Sequence, residues 1–168
     1  MSSVAAPLPL RLARLVRIEH TVFALPFAYV GALLAVDGWP GTEAMVWITI
    51  AMVGARTLAM ALNRLVDAEL DARNPRTATR ELPSGALTRL QVVGLSLAAL
   101  AVYLIAVFQL DPIVRWLWPI PVVLFVVYPY LKRATWLCHL WLGASLGLAP
   151  VGGWVAVSTK TWSNHPRA

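Results

Sequence analysis

The chain alternates long apolar runs with short polar joints, and the runs share one length. Stretches near 18–36, 44–66, 89–110, 113–131 and 135–157 each approach the roughly 20 residues that a helix needs to cross a hydrocarbon core of about 30 Å. They lack the apolar/polar alternation of a membrane barrel strand, and backbone inside a bilayer must otherwise satisfy its hydrogen bonds within its own segment. The pattern therefore predicts an all-α fold: a polytopic transmembrane bundle of about five helices within residues 11–158. The joints agree, since "DGWPGTE" and "LDP" are rich in turn formers and "YLKRAT" is a short basic connection. The first run is long and has no small-residue cleavage site behind it, so it reads as a membrane helix and not a signal peptide. Residues 1–10 are expected to form a disordered tail.

Composition narrows the class further. The 168 residues are 59% hydrophobic and 13% charged, with a mean hydropathy of +0.68, outside the usual soluble range. The net charge of +6 sits at the ends of the apolar runs, where it serves orientation and lipid headgroups. Membrane lipids are the expected partner, and nucleic acid is not. Arg11, Arg14 and Arg17, then Arg64, Arg73, Arg76, Arg80 and Arg89, then Lys132 and Arg133 fall in joints that alternate onto one face. The opposite joints hold Asp37, Glu43, Asp111 and Arg115. The positive-inside rule then predicts an inner (cytoplasmic) membrane protein with its N-terminus and the 63–85 stretch in the cytoplasm. Glu19 and His20, at the entrance of the first helix, are expected to form an interfacial ion pair or to line the same opening. Cys138 is the single cysteine, so it offers neither an internal disulfide nor a metal set.

The chemistry concentrates in "NRLVDAELDARNPRTATRELPSG", residues 63–85. Asn63, Asp67 and Asp71 stand at i, i+4 and i+8, which on a helix stacks them along one stripe. Two carboxylates and an amide oxygen suit a hard divalent cation such as Mg²⁺, which shares its shell readily with phosphate oxygens of a substrate. Arg73, Arg76 and Arg80 follow, and guanidinium groups pair bidentately with phosphate. Tyr128 and Lys132 in "YPYLK" share a helix face and emerge at the same end. Arg56, deep in the second run, should face the bundle interior or a watery cavity. The competing reading treats the arginines as topology signals and the acids as their surface partners. Position weakens that reading for Asn63 and Asp67, which directly follow an unbroken apolar run.

These residues resemble the UbiA-type membrane prenyltransferases, in particular bacterial 4-hydroxybenzoate polyprenyltransferases of ubiquinone and menaquinone biosynthesis. The signature NxxxDxxxD matches Asn63, Asp67 and Asp71, "TRELPSG" resembles the tail that follows it, and YxxxK matches Tyr128 and Lys132. The likeness runs over nearly all of residues 9–157. It implies a nine-helix bundle that transfers a polyprenyl group from a polyprenyl diphosphate to an aromatic acid acceptor, with Mg²⁺. On that likeness Asp67 and Asp71 are catalytic, Asn63, Asp67 and Asp71 hold metal, and Arg80, Tyr128 and Lys132 contact diphosphate. Arg56 would approach the acceptor, while Arg73 and Arg76 are added on electrostatic grounds alone.

The family pattern includes a second aspartate-rich motif, DxxxD, beyond the sixth helix. Here the only acid after Glu81 is Asp111, and "TKTWSNHPRA" at 159–168 is unlike the family. The expectation is a chain truncated after the fifth helix, with an aberrant C-terminal tail. Three functions stay open: a prenyltransferase, an inactive fragment of one, or a small non-catalytic lipid-binding or transport protein.

Overall fold

The computed structural model describes residues 7–16 and 18–158, with the side chains of 18–21 excepted. Glu19, His20, Arg17 and the tail at 159–168 therefore lie outside what is described. The described residues form α1 (Leu8–Val16), α2 (Ile18–Val36), α3 (Thr42–Arg73), α4 (Arg89–Gln109), α5 (Val114–Leu117), α6 (Pro119–Ala134) and α7 (Cys138–Val155). The fold is all-helical, as the apolar runs predict. Thr42–Arg73, Arg89–Gln109 and the combined Val114–Ala134 are long and apolar enough to cross a membrane.

Three boundaries differ from the sequence reading. Residues 8–10, expected within a disordered tail, are helical, because "LPLRLARLV" is amphipathic and buries Leu15 and Val16 against Ala61, Leu87 and Val92. The second span does not stop near residue 66: it continues to Arg73, and its buried Asp67 and Asp71 are paired there with Lys132 and Arg133, and with Arg80 and Arg64. The fourth span is interrupted at Trp118, where Pro119 and Pro121 remove backbone donors. Tyr103 Oη donates to Trp118 O there at 3.3 Å and ties the break to α4.

Close backbone approach sets the bundle. A Cβ on Gly54 of α3 would lie 2.8 Å from Tyr103 N of α4, so glycine is what lets these helices meet at that height. Gly153 of α7 likewise abuts the backbone of Ala28 in α2. Trp141 Nε1 of α7 donates to Leu124 O of α6 at 3.0 Å, beside the carbonyl that Pro129 leaves without a helical donor.

The polar connection between α3 and α4 is ordered by local bonds. Thr77 N and Ala78 N donate to Asn74 O at 2.9 and 2.8 Å, Arg80 N to Thr77 O at 3.0 Å, and Leu87 N to Glu81 O at 2.9 Å. A capping box closes it: Gln91 N donates to Thr88 Oγ1 at 3.2 Å and Thr88 N to Gln91 Oε1 at 2.9 Å. From α1, the Arg11 guanidinium donates to Ala86 O. The three basic regions named above thus gather at one end of the bundle.

Candidate functional site

One face of α3 carries Ala51, Ala55, Ala59, Asn63, Asp67 and Asp71 at four-residue intervals, and every one of them lines a cavity. The helix changes chemistry along its length, from methyl groups to oxygen ligands. Around the alanines lies an apolar chamber of about 340 Å³, walled by Met52, Tyr103, Val107, Phe125 and Leu146 among others. Around the acids lies a polar mouth of about 400 Å³. Arg56, Met60 and Asn63 border both, so the two spaces adjoin.

The mouth is positively charged. Arg56, Arg64, Arg76, Arg80 and Lys132 line it against Asp67 and Asp71, five cations to two carboxylates, for a net charge of +3. Asp67 and Asp71 are 5% and 8% exposed, and each is held from two sides. Lys132 Nζ donates to Asp67 Oδ2 and, at 2.9 Å, to Asn63 Oδ1. Arg133 Nη2 reaches Asp67 Oδ1 at 3.1 Å. Arg80 Nη1 donates to both oxygens of Asp71 at 2.8 Å, and Arg64 Nη1 stands 4.0 Å from Asp71 Oδ2. Thr77 Oγ1 caps the end of α3 by donating to Asp71 O at 3.0 Å.

The donor set is one amide oxygen and two carboxylates on successive turns, all hard ligands that suit Mg²⁺ sharing its shell with phosphate. Among the described residues no group of three or more His, Cys, Asp or Glu could hold a metal by itself. The chemistry of the set therefore fits a cation that arrives with oxygen ligands of its own.

The sequence-predicted residues separate into three groups. Asn63, Asp67, Asp71, Arg76, Arg80 and Lys132 meet at the mouth, and Arg56 stands at the boundary with its Nε buried and without a hydrogen-bond partner among the described residues. Tyr128 faces the apolar chamber, its ring 5.7 Å from Lys132 Nζ. Arg73 is exposed and lines neither cavity. Arg64, Asn74, Thr77 and Arg133 were not predicted at the site. Arg64 was legible in principle: it is seven residues before Asp71, two helical turns along the same face.

Comparison with known proteins gives a consistent result. The description "UbiA prenyltransferase family" matches residues 24–166. The chain is 38% identical over 165 residues to a protoheme IX farnesyltransferase of Methylococcus capsulatus, covering 95% of this chain and 52% of that protein. It is 31% identical over 159 residues to a 4-hydroxybenzoate octaprenyltransferase of Aromatoleum aromaticum, covering 93% and 54%. Among solved structures, the apo structure of a UbiA homolog from Aeropyrum pernix superimposes with a TM-score of 0.80 at 39% identity, covering 85% of this chain and 52% of that one. The chain spans about half the length of the curated relatives it matches.

Proposed function

The chain belongs to the UbiA prenyltransferase family, and on that premise we propose that it serves transfer of a polyprenyl group from a polyprenyl diphosphate to an aromatic acceptor such as 4-hydroxybenzoate. With three helices among the described residues long and apolar enough to cross a bilayer, it is a multi-pass membrane protein. The observation that carries the proposal is the adjacency of a +3 mouth and an apolar chamber along one face of α3. An amphiphile with an anionic head and a hydrocarbon tail matches that split point for point.

In this reading the diphosphate lies in the mouth and the isoprenoid tail in the chamber. Lys132 and Arg80, which line the mouth, pass from their carboxylates to phosphate oxygens as the head group enters. Asn63, Asp67 and Asp71 would hold Mg²⁺, which supplies charge neutralisation at the departing diphosphate when bound. Scission of the allylic carbon–oxygen bond leaves the electron pair on diphosphate and an allylic cation in the chamber. An aromatic ring carbon attacks that cation and then releases a proton. Arg56, at the boundary of the two spaces with a spare buried donor, is placed to orient an anionic acceptor beside the reacting carbon. Tyr128, which the family likeness made a diphosphate contact, would line the chamber with its ring 5.7 Å from Lys132 Nζ.

The relatives' names differ in both groups transferred, octaprenyl against farnesyl, and in both acceptors, 4-hydroxybenzoate against protoheme IX. With 4-hydroxybenzoate the product would enter quinone biosynthesis. The basic end of the bundle supports a cytoplasmic mouth and a cytoplasmic N-terminus in the inner membrane.

The test uses purified chain in detergent with radiolabelled farnesyl diphosphate, with and without Mg²⁺, beside Asp67→Asn. Mg²⁺-dependent retention by the wild type and at least tenfold weaker retention by the variant is the expected result. Equal retention by both would remove the site. Adding 4-hydroxybenzoate or protoheme and scoring prenylated product then names the acceptor.

A further inference from the structure

Arg133 reaches Asp67 from outside both cavities. Its Nη2 donates to Val66 O at 2.7 Å as well as to Asp67 Oδ1 at 3.1 Å. Its guanidinium carbon lies 6.0 Å from the centre of the Tyr130 ring. The group is thus held by an α3 carbonyl, an α3 carboxylate and an aromatic face on its own helix. Arg133 lines neither the mouth nor the chamber. Lys132, its neighbour in sequence, lines the mouth and touches the other oxygen of the same carboxylate.

We propose that Arg133 is a positioning residue, which fixes Asp67 from behind and leaves Oδ2 as the single oxygen turned to a divalent cation. The inference rests on the diphosphate reading of the site and deepens it. A carboxylate with both oxygens free rotates about its terminal torsion and alternates between one-oxygen and two-oxygen ligation. Arg133 removes that freedom by holding Oδ1. It cannot follow phosphate into the mouth, because its other anchors lie on Val66 O and Tyr130. Lys132 can leave Oδ2 for a phosphate oxygen, and Arg133 then remains as the one fixed countercharge to Asp67. Neighbouring cations on a shared carboxylate thereby divide the work: one contacts substrate, the other holds the ligand.

The test separates anion binding from metal binding. Inorganic diphosphate binding is measured by calorimetry in chelator, and Mn²⁺ binding in saturating diphosphate by the loss of its free paramagnetic signal. Outer partners of metal ligands typically contribute about 10- to 100-fold in metal affinity. For Arg133→Gln, Mn²⁺ affinity is expected to fall by about that factor, with metal-free diphosphate affinity within about threefold of wild type. Arg133→Lys, which keeps the charge but is shorter and lacks the planar guanidinium that faces Tyr130, is expected to fall between. Lys132→Gln is expected to weaken metal-free diphosphate binding instead. Unchanged Mn²⁺ affinity in Arg133→Gln would overturn the proposal. So would an equal loss of both affinities, the signature of a phosphate contact or of a damaged fold. A wild-type chain that binds neither diphosphate nor Mn²⁺ would remove the underlying reading, a result distinct from either of these.

Discussion

Replacing Asp71 by asparagine should have opposite effects on diphosphate binding with and without a divalent cation. The mouth carries five cations and two carboxylates, so the variant raises its net charge from +3 to +4 and leaves the Arg80 guanidinium one of its two bonds of 2.8 Å. Unit charges about 6 Å apart in an effective dielectric of about 20 interact by about 3 kcal/mol, and screening in an open, wetted mouth reduces this to about 1 kcal/mol. Metal-free inorganic diphosphate should therefore bind about fivefold more tightly to Asp71→Asn. Diphosphate with Mg²⁺ should bind at least tenfold more weakly, because one of two carboxylate ligands is gone. The fold should lose about 1–2 kcal/mol: Arg64, 6% exposed, loses a facing charge, but asparagine still offers Arg80 an oxygen and Arg80 is partly screened by solvent. Calorimetry in detergent, in chelator and then in Mg²⁺, reads both signs on one preparation. Weaker metal-free binding would refute the electrostatic account, since it would make Asp71 a support for the anion and not its opponent.

Further outcomes follow from the packing. Gly54→Val should destabilise the bundle by about 1–3 kcal/mol through overpacking against α4, whose Tyr103 N lies 2.8 Å from the added carbon; denaturant unfolding in mixed micelles measures it, and an unchanged midpoint would contradict the close α3–α4 approach. Ala59→Phe, which fills the throat beside Asn63, should weaken farnesyl diphosphate binding at least tenfold while inorganic diphosphate binding stays within about threefold. Equal losses for the two ligands would mean that tail and head do not occupy separate spaces. Thr88→Ala removes the capping box of α4 and should cost about 1 kcal/mol, with faster amide exchange across residues 74–92 than across α6.

How much of this was legible in the sequence depends on range. The spans were visible because hydropathy is local, and the Asn63, Asp67 and Asp71 stripe because helical spacing is local too. The same spacing could have excluded Arg73, which is two residues past Asp71 and so points nearly to the far side of α3. Arg133 was visible only as a topology charge. Its contact with Asp67 joins residues 66 positions apart, and nothing in a linear pattern specifies that α6 ends beside the last turns of α3. Tyr128 was correctly joined to Lys132 by helix face, yet which cavity its ring borders depends on how α6 is rotated against α3. The break at Trp118 was signalled by its two prolines, but apolar character alone made 113–131 look continuous.

The ion pairs at the end of α3 also bear on how such a chain reaches its membrane. A helix that buries two aspartates near one end would meet a steep barrier on leaving the translocon if the acids had to wait for a free ion. Lys132 and Arg133 arrive with α6, and Arg80 follows Asp71 by nine residues in the same stretch of synthesis. The countercharges come from the chain itself, so purification in EDTA should return a folded bundle.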